Sequence, residues 1–152
     1  KTFLKISPPL RSEKDRLSLI NGIKDGLIDI IVSDHKPEDE ESKRLPFAQA
    51  ATGAIGVETL LPLSLELYHN ESLKLKKIIE MLTINPSKIL KIKKGSLKKG
   101  SDADICIFDL DKPWVVKADK LKSKSKNTAI EDRKLQGKVL MTFLNGELVF
   151  NQ

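Results

Sequence analysis

Apolar and polar positions alternate along this chain in two styles, one helical in period and one strand-like. Phe3–Ile6 is a short apolar run that ends at Pro8-Pro9. Proline has no N–H to give a sheet ladder, so the pair marks the exit from a strand into a loop. Ser12 then stands where a helix N-cap belongs, with Glu13 and Asp15 close to the positive end of the helix dipole. Leu17, Ile20, Ile23 and Leu27 recur at helical spacing and Gly26 is a helix stop, which predicts a helix over residues 12–26. Ile28–Val32 is an almost unbroken apolar run, the pattern of a parallel strand buried on both faces. Strand, helix and strand within about thirty residues predict a right-handed βαβ unit.

Residues 33–54 form a long polar loop, of the kind that is functional or disordered when it lacks structure of its own. Apolar periodicity predicts a helix over residues 57–68 and another over residues 73–82. Asn85-Pro86 breaks the latter before a short helical turn through Leu90. From Gly95 onward glycines punctuate short β-branched or alternating runs: Ala103–Phe108, Trp114–Val116, Lys138–Phe143 and Glu147–Phe150. These predict a small β region. Asn145-Gly146 predicts a two-residue hairpin turn between the last two, since both residues tolerate positive φ. The change of style sets a domain division of residues 1–90 and 91–152.

Composition narrows the classes. Hydrophobic residues make up 39% of the 152, and no apolar run approaches the ~20 residues of a membrane-spanning helix. The net charge is +6, but lysines are interleaved with Glu and Asp. The densest stretch, Lys117–Lys126, has no aromatic residues among its charges. That argues for a solvated surface and against nucleic acid or membrane as a partner. The single Cys106 excludes an internal disulfide framework and is expected to be a small core residue of a cytoplasmic protein. The sequence starts at Lys1 with neither an initiator Met nor a leader, so the natural N-terminus is expected upstream.

Parallel α/β folds place chemistry just past the carboxyl ends of strands. One such end delivers Lys5, Ser7 and Arg11; the other delivers Ser33, Asp34 and His35. An Asp there can bind a cation, accept a proton or cap the next segment, and spacing alone leaves the three open. His35 is expected to be a hydrogen-bonding residue, because a zinc site needs three or four protein ligands and the chain has 2 His. His69, at a predicted helix end, is expected to interact with the helix dipole. There is no Cys-x-x-Cys pair, phosphate-binding Gly-rich loop or Ser nucleophile elbow.

The loop texts add a resemblance. Lys5-Ile6-Ser7-Pro8-Pro9-Leu10-Arg11 resembles the Lys-x-Asn-Pro-Pro-Leu-Arg segment of dihydroorotases, and Ser33-Asp34-His35-Lys36-Pro37 resembles their Asp-His-x-Pro segment after the last barrel strand. Lys43–Phe47 and Gly53–Thr59 resemble the loop and helix start that follow. Asn85–Leu90, Gly95–Leu97, Gly100–Ile105 and Ser123–Thr128 resemble later segments in the same order. The resemblance implies an α/β fold: the C-terminal part of a (β/α)₈ TIM-barrel amidohydrolase over residues 1–90, and part of a small β-sandwich over residues 91–152. It implies a dihydroorotase-type cyclic amidohydrolase, interconverting N-carbamoyl-L-aspartate and dihydroorotate in pyrimidine synthesis with Zn2+. Asp34 would touch the metal-bound hydroxide and shuttle a proton. Ser7, Arg11, Thr52 and Gly53 would lie where substrate is held.

Two positions depart from the pattern: Ser7 replaces the family's Asn, and Glu38 stands where a second His is often found and would repel a substrate carboxylate. The family's His-x-His, its carboxylated lysine and its later histidine ligands have no counterparts here, so the chain is expected to be a fragment, inactive alone. Within the enzyme class the alternative is an allantoinase or dihydropyrimidinase. From another class comes a non-catalytic dihydroorotase-like partner of aspartate carbamoyltransferase. Beyond a small-molecule substrate, a homo-oligomer or that carbamoyltransferase are the expected partners.

Overall fold

In the computed structural model, which describes residues 1–152, the chain opens on a 3₁₀ turn at Thr2–Leu4, not on a strand. The amides of Leu4 and Lys5 donate back to the carbonyls of Lys1 and Thr2, at 3.1 and 2.9 Å. Ile28–Val32 likewise forms no strand. The Ile31 amide donates to Met81 O at 3.3 Å and the Asp29 carbonyl accepts from Asn85 Nδ2 at 2.8 Å. The predicted parallel pair is therefore absent. Apolar runs specify burial, but a strand also needs a neighbouring strand to take its backbone bonds, and these two segments bond to turns and side chains.

Between them the predicted helix forms as α1, Glu13–Lys24. The Asp15 amide donates to Ser12 Oγ at 3.3 Å and the Ser12 amide to Asp15 Oδ2 at 3.1 Å, a reciprocal capping box. At the other end Leu27 N–H donates to Gly22 O at 2.8 Å and Gly26 N–H to Ile23 O at 3.2 Å, with Gly26 at φ +76°. This is the Schellman arrangement, which needs a left-handed residue at Gly26. Ile20 and Ile23 are buried, while Leu17 and Leu27 are exposed. We expect Ser12→Ala to lower stability by about 1 kcal/mol, read as a lower denaturation midpoint at unchanged slope.

The long polar loop contains α2, Glu40–Arg44, capped by Asp39, whose Oδ1 accepts the Ser42 amide at 2.7 Å. The predicted helices follow as α3, Leu60–His69, and α4, Leu75–Leu82, and the short turn as α5, Ile84–Ile89. The break falls at Thr83 (φ −128°, ψ −81°), two residues before the predicted Asn85-Pro86. Pro86 sits in the first turn of α5, where its missing N–H costs nothing.

The tail holds β1, Ile105–Val115, β2, Lys134–Leu144, and β3, Glu147–Asn151, in the order β1-β2-β3. The two runs expected before and after residue 110 are one strand. β2 and β3 are antiparallel and pair Leu144 with Glu147 and Phe143 with Leu148, then shift register between Thr142 and Phe143. Asn145 and Gly146 both have positive φ, +51° and +84°, as the predicted two-residue turn requires. Cys106 is exposed, not in the core; successive strand side chains point to opposite faces, and Cys106 projects from the face opposite to the half-buried Ile105.

The chain divides into two compact units. One comprises residues 1–21, 32–60 and 115–134 and buries Ala50, Ile55, Val116 and Leu121 together with the polar Lys43, Thr59, Asn127 and Thr128. The other comprises residues 22–31, 61–114 and 135–152, with Leu65, Ile78 and Met81 fully buried. Large apolar side chains stand exposed on α1 (Leu17, Leu19), after α5 (Leu90, Ile92) and on β3 (Leu148, Val149). Unpaired strand edges and exposed apolar groups favour association. The isolated chain is expected to self-associate in sedimentation velocity; a monomer persisting at high concentration would contradict this.

Candidate functional site

The five candidate residues all fall in the first unit. Backbone hydrogen bonds bring three of their segments together. The Gly53 amide donates to Lys5 O at 3.0 Å, and the Lys36 amide donates to Ala54 O at 2.9 Å. Residues 5–7, 34–36 and 52–54 thus run beside one another. Ser7, which precedes a cis Ser7–Pro8 bond, and Asp34 are exposed; Thr52 is half-buried and Gly53 buried. Arg11 is also exposed, and its Nε lies 3.5 Å from Asp15 Oδ2 in the first turn of α1. Exposed pairs of this kind contribute less than about 1 kcal/mol.

Asp34 has φ +41°. Asp and Asn visit this left-handed region more readily than other side chains because they bond locally, yet it costs energy and recurs at functional positions. Gly53 is more constrained. Its φ is +146°, and a Cβ there would lie 2.8 Å from Lys36 Cγ and Cδ and 2.9 Å from Lys36 Cβ.

Two lysines hold this arrangement. Lys5 Nζ donates to the carbonyls of Phe47, Ala48 and Ala50 at 2.7, 3.1 and 2.7 Å. Lys43 is 0% exposed, and its Nζ donates to the carbonyls of Lys5, Ala51 and Gly53 at 3.1, 3.0 and 2.9 Å. Burial lowers the Lys43 pKa; the charge of Glu38 opposes that shift, and Lys5 and Lys36 add to it. Asn127, also buried, donates from Nδ2 to Lys36 O at 3.1 Å and Gly53 O at 3.3 Å. Glu58 accepts the amides of Lys122 and Ser123, both at 3.0 Å. Lys122, Lys124 and Lys126 are exposed, as the solvated-surface reading expects.

Sequence reasoning missed Lys43, Asn127 and Glu58 as organising residues. Their one signal was a place inside segments that resemble family text. Glu38, expected to repel a carboxylate, is half-buried, and its Oε1 lies 3.7 Å from Lys36 Nζ. Its charge faces lysines within the unit. His35 bonds as expected: Nδ1 accepts the amides of Gly56 at 3.1 Å and Val57 at 3.4 Å, which places the ring proton on Nε2. His69 is the last residue of α3, and its Nδ1 lies 4.0 Å from Asp111 Oδ1.

A shallow depression beside His35, lined by Ile55, Gly56, Glu58, Leu121 and Ser123 among others, holds about 170 Å3 of empty space even with open solvent counted. Small-molecule sites run to ~300–1,000 Å3, so this depression does not enclose a substrate. No three His, Cys, Asp or Glu side chains gather in a metal-sized group. Asp34 can offer one carboxylate and His35 Nδ1 is already engaged. The residues present do not by themselves fit a metal centre.

Known proteins sharpen the picture. Residues 6–149 match the Amidohydrolase family. The chain belongs to that family. Among curated amidohydrolases it is similar to the dihydroorotase of Ehrlichia chaffeensis (strain ATCC CRL-10679 / Arkansas), with 49% identity over 149 residues, covering 98% of this chain and 33% of the relative. The dihydroorotase of Aquifex aeolicus (strain VF5) is 45% identical over 146 residues, covering 96% and 34%. The chain thus spans about a third of the length of these relatives. Among solved structures it is similar to the L-hydantoinase (dihydropyrimidinase) from Arthrobacter aurescens, with TM-score 0.87, 33% identity, and coverage of 99% of this chain and 35% of that one. A dihydropyrimidinase from Brevibacillus agri NCHU1002 reaches TM-score 0.91 at 22% identity over 99% of this chain and 34% of that one, a likeness of fold alone. The mixed α/β fold of this chain is therefore similar to the matching third of the L-hydantoinase.

Proposed function

We propose that this chain supplies the C-terminal part of a dihydroorotase-type cyclic amidohydrolase that interconverts N-carbamoyl-L-aspartate and dihydroorotate. Residues 1–90 would complete a (β/α)₈ barrel and residues 91–152 would contribute to a β-sandwich. The observation that carries the reading is the alignment of residues 5–7, 34–36 and 52–54, tied by Gly53–Lys5 and Lys36–Ala54 bonds, in a chain 49% identical to a dihydroorotase. In the hydrolytic direction Asp34 takes a proton from the attacking water and returns it to the ring nitrogen as the amide bond breaks. Ser7, Arg11, Thr52 and Gly53 hold the substrate. A divalent metal belongs to the family chemistry; our reading is Zn2+, with Asp34 as this chain's contact to it and the remaining ligands lying outside these residues. A small molecule is the substrate, a homo-oligomer or aspartate carbamoyltransferase the partner, and the cytoplasm the location.

The test uses the full-length protein supplied with Zn2+ and compares carbamoyl aspartate cyclisation with hydrolysis of dihydrouracil and hydantoin. Preferred turnover of carbamoyl aspartate is expected. The likeness to the L-hydantoinase makes preference for hydantoin or dihydrouracil the outcome that would move the assignment to a neighbouring cyclic amidohydrolase. Absence of all turnover, with co-purification of aspartate carbamoyltransferase, would make the protein a scaffold.

A further inference from the structure

We infer that Lys43 is a positioning residue that sets the spacing between the two substrate-holding segments, a role that rests on the reading just proposed. Its ammonium has three N–H donors, and all three are used, on Lys5 O, Ala51 O and Gly53 O. One of these carbonyls, on Lys5, lies two residues before Ser7, and the other two flank Thr52. A single point charge therefore binds both strips of backbone at once. The direct Gly53–Lys5 amide bond at 3.0 Å ties the same strips, but it involves neither Ala51 nor the Gly53 carbonyl.

The site is built for this cation. Lys43 is 0% exposed although it belongs to the five-residue helix α2, whose Arg44 is exposed. An alkylammonium is rarely buried without a carboxylate partner. Here three peptide dipoles point at it, and the Glu38 charge offsets the nearby Lys5 and Lys36. The Gly53 carbonyl is shared with Asn127 Nδ2 at 3.3 Å, so the ammonium and the buried amide converge on the residue whose φ of +146° only glycine adopts readily. Removing the ammonium would take one donor from each of three carbonyls; Lys5 O would keep the Gly53 amide and Gly53 O would keep Asn127 Nδ2, so the loss falls hardest on Ala51 O, next to Thr52.

The experiment is Lys43→Ala in the full-length protein, with Lys43→Gln as a milder companion that keeps two N–H donors and removes the charge. Hydrogen bonds to a charged group contribute enough that losing this clamp should raise KM at least about tenfold, with kcat within about threefold. n-Propylammonium, which replaces the deleted atoms, should restore KM in a saturable manner, whereas tetramethylammonium, which has no N–H, should not. Hydrogen exchange should quicken in peptides covering residues 5–7 and 51–54 and stay unchanged over α4 and the β2–β3 hairpin. Unchanged KM and unchanged exchange in both variants would overturn the assignment. Loss of the fold in both would make Lys43 a global stability residue and overturn it equally. If the unmutated protein does not cyclise carbamoyl aspartate, the reading of the substrate fails. The exchange pattern then still decides whether Lys43 couples the two segments.

Discussion

Asp34→Asn in the full-length protein is expected to lose about 10²- to 10⁴-fold in turnover, the usual contribution of a general acid–base group, while keeping its fold. The backbone makes this substitution a clean one. Asp34 sits at φ +41°, and Asn is the other non-glycine side chain that tolerates the left-handed region. The amide also preserves size and local hydrogen bonding, so an Asp that merely capped a turn would tolerate the change at a cost of about 1 kcal/mol or less. Asp34 is exposed, so the change to Asn disturbs no buried neighbour. The measurement is carbamoyl aspartate cyclisation with circular dichroism and thermal unfolding beside it. A folded variant with near-normal turnover would show that Asp34 is structural.

Gly53→Ala should be the most damaging single methyl in the candidate site. Backbone strain at φ +146° and the 2.8–2.9 Å approach of the new Cβ to Lys36 Cβ, Cγ and Cδ act together. Each effect alone is worth on the order of 1–3 kcal/mol. Lys36 cannot relieve the contact by swinging only its ammonium, because its own Cβ is among the atoms touched. Moving it disturbs the Lys36 amide bond to Ala54 O at 2.9 Å and the Asn127 bond to Lys36 O at 3.1 Å. We expect a loss of about 2–4 kcal/mol in denaturant unfolding, accompanied by lost substrate binding. A Gly53→Ala protein within about 1 kcal/mol of the unmutated one would show that the loop relaxes freely, against the cost that strain and overpacking normally carry.

What the sequence made legible follows the range of the forces involved. Local signals were readable: the Ser12–Asp15 box and the Gly26 stop of α1 are set within one helical turn of their own residues, and Asn145-Gly146 carries its hairpin in two. The periodic apolar faces gave α3 and α4. Ile28–Val32 reads as a strand and is none, because apolar composition does not say which partner takes the backbone bonds. α2 has five residues, too few to show a period, and its cap at Asp39 lay in a run of charges. Within the candidate site, Asp34, Thr52 and Gly53 are singled out by their resemblance to family text. The groups that hold them are not, since a buried lysine bonded to carbonyls 8, 10 and 38 residues away has the same letter as an exposed one.

The six stretches that alternate between the two compact units also bear on synthesis. Asn127 reaches back across 74 residues to the Gly53 carbonyl. At roughly 5–20 residues per second on a ribosome, residues 51–54 emerge about 4–15 s before the buried amide that helps to hold them. During that interval the loop has the Lys43 and Lys5 bonds and the Gly53–Lys5 and Lys36–Ala54 backbone hydrogen bonds, all from residues already made. Truncation after Trp114 would make the delay permanent, and such a nascent chain should be cut by protease within residues 46–56 while the finished one resists.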